Sequence, residues 1–253
     1  MNFRTSNNDI NFWYTNDGWA TSTLGMQIYD TGGHADIAER IPAAEPTQKG
    51  DLVSITSLQN QSFAVKKTSE PYSSTLIGVV STRPGLTLEV DGGVGIGAGD
   101  FDPMAPLLAL AGRVPVKVST QNGAIMVNDK ITSSSLPGIG MKAIKTGPVI
   151  GKTLESTDHW NEQNCSLIEN IEEINWPEDD GSNPAKPCFR LPDNTYVGKI
   201  MMFVNVSWYD PDAFLTDTGD IVINDADGNP KNLLADETIE TQIANLKSQN
   251  YNL

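Results

Sequence analysis

Asp36 and Glu39, within His34-Ala35-Asp36-Ile37-Ala38-Glu39-Arg40, are the carboxylates whose spacing best suits catalysis. Three apart, they share a face if the segment makes a helical turn, and two close carboxyls divide into an acid and a base as their pKa values separate. A structural reading accounts for the same residues. Asp36 as N-cap with Glu39 at N3 is a capping box opening one short turn, which Pro42 then limits. On spacing alone the box is favoured.

Other chemical motifs fail on detail. Thr146-Gly147-Pro148-Val149-Ile150-Gly151-Lys152-Thr153 approaches a phosphate loop but has three residues between its glycines, and Pro148 lacks an N–H. Its β-branched pair belongs in a strand. Gly93-Val94-Gly95-Ile96-Gly97-Ala98 matches a dinucleotide fingerprint, yet Asp100-Phe101-Asp102-Pro103 follows where a helix is required, so a glycine loop is expected. Asp225, Asp227 and Asn229 mimic the first ligands of a calcium loop, but Pro230 stands where glycine must turn, and a hairpin turn is expected. Two histidines, His34 and His159, and two cysteines without clustered spacing leave no zinc site. Neither metal nor cofactor is expected. Cys165 and Cys188 instead bracket a loop that a disulfide would stabilise by about 3 to 4 kcal/mol in an oxidising setting, the alternative being two free thiols.

These residues sit among short β-branched runs: Leu52-Val53-Ser54-Ile55, Leu76-Ile77-Gly78-Val79-Val80, Val114-Pro115-Val116-Lys117-Val118, Ile125-Met126-Val127 and Val149-Ile150-Gly151-Lys152. Each is bounded by Gly, Pro, Asn or Asp, which predicts a mainly β fold, a small barrel-like core. Gly50-Asp51-Leu52-Val53-Ser54 leading to Ile77-Gly78 resembles Asn128-Asp129-Lys130-Ile131-Thr132 leading to Ile150-Gly151, as if one β-unit were used twice. Residues 1–35 read as short strands of an edge or docking segment, and 36–206 as the β-rich domain. Within it, 157–196 reads as a Pro-rich surface insertion carrying Trp160, Trp176 and an acidic patch. Residues 207–253 read as a hairpin and the start of an oligomerising helix, with Ile239, Ile243 and Leu246 along one seam and Asp236 as N-cap.

Composition narrows the partners. The chain has 253 residues, with 17 Lys+Arg against 32 Asp+Glu, a formal charge of −15. Its cations are scattered singly apart from Lys66-Lys67, which argues against nucleic acid. No apolar run approaches the roughly 20 residues that span a bilayer, so membrane insertion is not expected. Residues Asn2 to Ser6 carry neither the basic nor the apolar region of a signal peptide.

The order Asp36-Ile37-Ala38-Glu39, Gly50-Asp51-Leu52-Val53, Ile77-Gly78-Val79-Val80-Ser81 with Pro84-Gly85, Ala109-Leu110-Ala111-Gly112-Arg113-Val114-Pro115-Val116-Lys117-Val118 and Ser133-Ser134-Ser135-Leu136-Pro137-Gly138 resembles a domain of long bacterial surface proteins. It is similar also to the G2-type intramolecular-chaperone peptidase domain at the C-termini of phage tail and neck appendage proteins. The likeness covers about residues 36 to 156 and the strand at 197–205. It implies self-cleavage immediately before the Asp of Asp-x-Ala-Glu: the scissile bond Ala35–Asp36, Glu39 as the acting acid/base and Asp36 at the new N-terminus. The residue before the cut, commonly serine in the cleaving appendages, is Ala35 here, which removes the hydroxyl needed for an N-to-O acyl shift. A carboxylate-activated water remains as a route.

The expectation is therefore an extracellular structural or assembly module of a surface or tail-fibre protein that associates with itself, a trimer by analogy with appendage proteins. Two alternatives accompany it: a self-cleaving endopeptidase, and a module binding a cell-surface glycan or protein through the insertion at 157–196.

Overall fold

Short runs of β-branched residues between turn formers can bury one or both faces of a sheet but are too short and too branched for stable helices, and the chain is mainly β. The computed structural model describes residues 2–6, 9–14, 23–28, 35–58, 62–90, 92–97, 100–176, 187–215, 217, 221–224, 230–231 and 244. It divides into two units, residues 1–143 with 147–208, and residues 144–146 with 209–253.

The first unit opens with an antiparallel meander, β1 (Asn2–Ser6), β2 (Asp9–Tyr14) and β3 (Thr23–Ile28). Next come β4 (Ala35–Arg40), β5 (Leu52–Ser57), β6 (Phe63–Lys67), β7 (Leu76–Val80), β8 (Leu86–Leu88) and β9 (Val94–Ile96). Two results differ from the sequence expectation. Asp36 and Glu39 lie in β4, so neither a helical turn nor a capping box forms; β4 is held by antiparallel β10 (Leu107–Ser119) on one side and parallel β8 on the other. The glycine fingerprint at 93–98 supplies β9, between β3 and β8, because glycines alternating with Val94 and Ile96 suit an extended chain approached closely from both edges.

Residues 130–153 supply β11 (Lys130–Ser133), β12 (Gly140–Lys142) and β13 (Gly147–Thr153), so the near-miss phosphate loop is a strand, as its β-branched pair predicts. The insertion adds β14 (Ser166–Leu167), the 3-10 turn Ile171–Glu173 and β15 (Cys188–Arg190), and β16 (Tyr196–Tyr209) follows. β10 pairs with β12, β12 with β11, β11 with β13, β13 with β16, and β16 runs antiparallel back along β10 from Gly112 to Ser119. The hydrogen-bonded path thus returns to its start around one interior. Val114, Val116 and Val118 of β10 face that interior with Leu52, Ile131, Ile150, Ile200, Met202 and Val204.

The repeated motif is the same backbone device twice. Gly50 and Asn128 both take left-handed backbone, φ +87° and +75°, which glycine and asparagine tolerate best. Gly50 N–H donates to Val80 O and Asn128 N–H to Thr153 O, both at 2.9 Å; in return Val80 N–H reaches Asp51 O at 2.8 Å and Thr153 N–H reaches Asp129 O at 3.0 Å. Two residues beyond each Asp, Val53 faces Gly78 and Ile131 faces Gly151.

The expected surface insertion is built into the core. Trp160, Cys165 and Cys188 are buried with the main interior cluster, and Cys165 and Cys188 form a disulfide. Gly198 leaves room for the indole, since a Cβ there would lie 2.7 Å from Trp160 Cη2. A separate cluster joins Ile139, Ile174, Leu191 and Val197, with Trp176 and Phe189 packed against it.

In the second unit β17 (Ala213–Leu215), β18 (Ile221–Asn224) and β19 (Pro230–Lys231) form an antiparallel sheet, so the expected hairpin is present at β18–β19. The residues of the calcium-loop mimic, Asp225, Asp227 and Asn229, lie outside the described residues, as do Asp236, Ile239, Ile243 and Leu246 of the expected helix.

Candidate functional site

β-strand alternation decides what Asp36 and Glu39 can do together. Side chains three apart in a strand point to opposite faces, about 10 Å apart along the chain. Asp36 is buried and Glu39 exposed, so the two carboxyls do not meet. The Ala35–Asp36 bond itself lies within β4, where Ala35 faces Arg113 and Asp36 faces Gly112 of β10. The group beside that bond is the Asp36 carboxyl. It is 5% exposed, and burial pushes its pKa up to about 6 against the opposing influence of Ser81. Asp36 Oδ2 and Ser81 Oγ are nonetheless both buried without a hydrogen-bond partner.

A second group of residues, not singled out by motif, is more tightly built. Lys117 points away from the apolar interior that its valine neighbours fill, yet it is as buried as they are. Its Nζ lies 2.6 Å from Asp51 Oδ1 and donates to Gln48 Oε1 at 2.6 Å, and it stands 4.7 Å from the centroid of the Trp176 ring. The side chains of Lys117 and Asp51 are 3% and 2% exposed. Asp51 Oδ2 accepts the Gln48 N–H at 2.7 Å. Across the β10–β16 register Lys199 stands directly opposite Lys117, and its Nζ is 6.0 Å from the same indole.

Each part of this site has a local cause. The left-handed Gly50 turns the chain so that Asp51 enters from the end of β5, and Gly138 lets the carboxyl sit close, since a Cβ there would lie 2.9 Å from Asp51 Cγ. The 3-10 turn of the insertion brings Ile174 and Trp176 over the face of β10 and β16 that would otherwise meet water. Burial pushes the Asp51 carboxyl up, opposed by Lys117. Burial likewise pushes the Lys117 ammonium down, opposed by Asp51 and reinforced by Lys67. A cavity of about 110 Å³ adjoins the pair, lined by Gln48, Lys67, Pro137, Ile171, Glu172 and Trp176 among others. A second, of about 220 Å³, borders Trp176 with Lys49, Phe101 and Lys199. Of the two tryptophans expected to present a binding surface, Trp160 is therefore core and Trp176 lines cavities.

The sequence signal for this site is faint. In Val114-Pro115-Val116-Lys117-Val118, strict alternation reads Lys117 as facing solvent. Only the repeat of Gly50-Asp51 as Asn128-Asp129 points to a turn that delivers a carboxylate to a strand face. The second copy forms its own ion pair, Asp129 Oδ2 to Lys142 Nζ at 2.8 Å, but with side chains 21% and 29% exposed. Among the described residues no cluster of three or more His, Cys, Asp or Glu side chains could hold a metal ion, and no helix is long and apolar enough to cross a membrane.

No protein family, no curated protein and no solved structure matches this chain.

Proposed function

We propose that this chain is an assembly module of an extracellular surface or tail-type appendage, and that copies of it associate through the apolar sheet near the C-terminus. The observation that carries the reading is the pair Leu215 and Ile221, directly opposite one another in β17 and β18 and 68% and 72% exposed. Two large aliphatic side chains on one face of a small sheet favour a partner that takes them out of water, by roughly 1.5 to 3 kcal/mol for each when fully covered. A second copy is the occupant because the sequence continues into Ile239, Ile243 and Leu246, an i, i+4, i+7 seam that requires another helix. A trimer is the copy number that the sequence resemblance to appendage proteins implies. The Cys165–Cys188 bond supports an oxidising, extracellular setting. Light scattering on the folded chain tests the proposal. The wild type is expected to be multimeric and Leu215→Lys/Ile221→Glu monomeric with an unchanged near-ultraviolet spectrum; a monomeric wild type overturns it.

Self-cleavage before Asp36 is the second reading, favoured by the buried Asp36 carboxyl beside the bond, whose pKa burial raises to about 6. Water would add to the Ala35 carbonyl, the C–N bond to Asp36 would break, the leaving amine would take a proton from that carboxyl, and the carboxylate left behind would take the proton released by the water. Fragments of 35 and 218 residues, summing to the 253 of the chain, are then expected in the intact mass spectrum. A single uncut mass after prolonged incubation removes this reading and leaves the first untouched.

A further inference from the structure

We propose that Lys117 and Asp51 condense to an intramolecular isopeptide bond, Nζ to Cγ, that staples β10 to the turn preceding β5. The amine and the carboxyl are already in contact at 2.6 Å and both are almost wholly out of water. Holding a nucleophile against its electrophile replaces an encounter in solution by an effective concentration on the order of 10⁵ M or more. This is independent of the assembly reading, because it uses only groups within the first unit.

An ion pair is unreactive, since an ammonium has no lone pair and a carboxylate resists attack. The site works against the ion pair. Burial disfavours both charges, pushing Asp51 towards the acid and Lys117 towards the free amine. Lys67 adds to the fall, and a desolvated lysine beside other cations is the usual setting of a nucleophilic amine. Passing one proton from Lys117 to Asp51 gives a neutral pair without changing the charge of the site.

Gln48 serves both partners. Its backbone N–H holds Asp51 Oδ2 at 2.7 Å, where negative charge grows as the amine adds to Cγ. Its side-chain Oε1 accepts from Lys117 Nζ at 2.6 Å and remains an acceptor for the amide N–H of the product. The balance is simple: Nζ–Cγ forms, Cγ–Oδ1 breaks, and Oδ1 departs as water with the carboxyl proton and one amine proton. The adjoining cavity, lined by Gln48, Asp51 and Lys117, receives that water. Asp129–Lys142 is the built-in control. It has the same turn and the same residue types but lies in contact with solvent, so the condensation is not expected there.

The test is the mass of the full chain, purified folded and then denatured and reduced. The expected mass is below the sequence mass by one water. A tryptic digest should contain one branched peptide joining the segments of Asp51 and Lys117, with no cleavage after Lys117, and no such link at Asp129–Lys142. Lys117→Arg, which keeps the charge but cannot be acylated in this way, should show the full sequence mass. Wild type at full sequence mass after prolonged incubation overturns the proposal. So does a water loss reversed by mild alkali, which marks a succinimide, or one that persists in Lys117→Arg. The wild-type measurement alone decides the matter if the variant does not fold.

Discussion

Asp51 and Asp129 hold equivalent places in two copies of one β-unit: each carboxylate accepts the amide of the residue three before it at 2.7 Å, from Gln48 in one copy and Met126 in the other. What differs is the lysine each meets. Asp51 faces the buried Lys117 and Asp129 the half-exposed Lys142. Asp51→Ala leaves the buried Lys117 side chain without its carboxyl partner and is expected to cost about 3 to 5 kcal/mol. Asp129→Ala loses one capping hydrogen bond and a solvated ion pair, about 1 kcal/mol. Urea midpoints of the two variants measure the contrast; equal losses would contradict the difference in burial.

The paired glycines make a second comparison. A Cβ on Gly78 would meet Leu108 Cδ1 at 2.4 Å, the end of a side chain, whereas one on Gly151 would lie 2.1 Å from the backbone carbonyl oxygen of Phe203. Leu108 must shift within its buried cluster whereas the β16 backbone cannot yield, so Gly78→Ala should cost roughly 1 to 3 kcal/mol and Gly151→Ala more. Thermal unfolding of both variants ranks them.

Asp36 imposes a pH dependence. Its carboxyl is raised from 3.8 to about 6 in the folded chain, so the folded state keeps the proton after the unfolded state has lost it. The stability this confers is complete below about pH 4 and is lost as pH rises through about 6, up to roughly 3 kcal/mol in all. Asp36→Asn is expected to flatten this component and to be the more stable protein at neutral pH. The measurement is the difference between wild-type and variant unfolding free energies from pH 4 to 7; a constant difference would refute it.

Replacing Cys165 and Cys188 by Ala opens a loop of 23 positions and should cost about 3 kcal/mol. Both sulfurs lie in the main interior cluster with Trp160, so the loss should extend beyond the insertion to the β10–β16 pairing. Amide hydrogen exchange at Val114 to Val118 reads this out, and unchanged protection there would confine the bridge to a local role.

Local information made most of the strands legible. Val149-Ile150 reads as a strand in spite of the glycines around it, and the two Gly/Asn-Asp turns stand out because left-handed backbone restricts residue type. The β4 segment is ambiguous locally, because Asp-x-x-Glu at a helix start and alternation in a strand share the same four residues, and only pairing with β8 and β10 distinguishes them. Lys117 was hidden for a related reason. Whether the outer face of a strand meets water depends on what covers it, and here the cover comes from Ile174 and Trp176, nearly 60 positions later in the chain. The C-terminal hairpin was visible in the spacing of Ile221-Val222-Ile223 from Pro230, whereas the exposure of Leu215 was not, since it follows from the small size of its sheet.

The return of β16 to β10 also sets an order for synthesis. A ribosome releases Ser119 before Val197, and the 78 further residues up to Val197 take roughly 4 to 16 s at about 5 to 20 residues per second. Throughout that interval the edge of β10 from Gly112 to Ser119 lacks its final neighbour, an open template for strands of other nascent chains. Polysomes crowded with this message are where misassembly should arise, and slowing translation between residues 119 and 197 should lower the soluble yield.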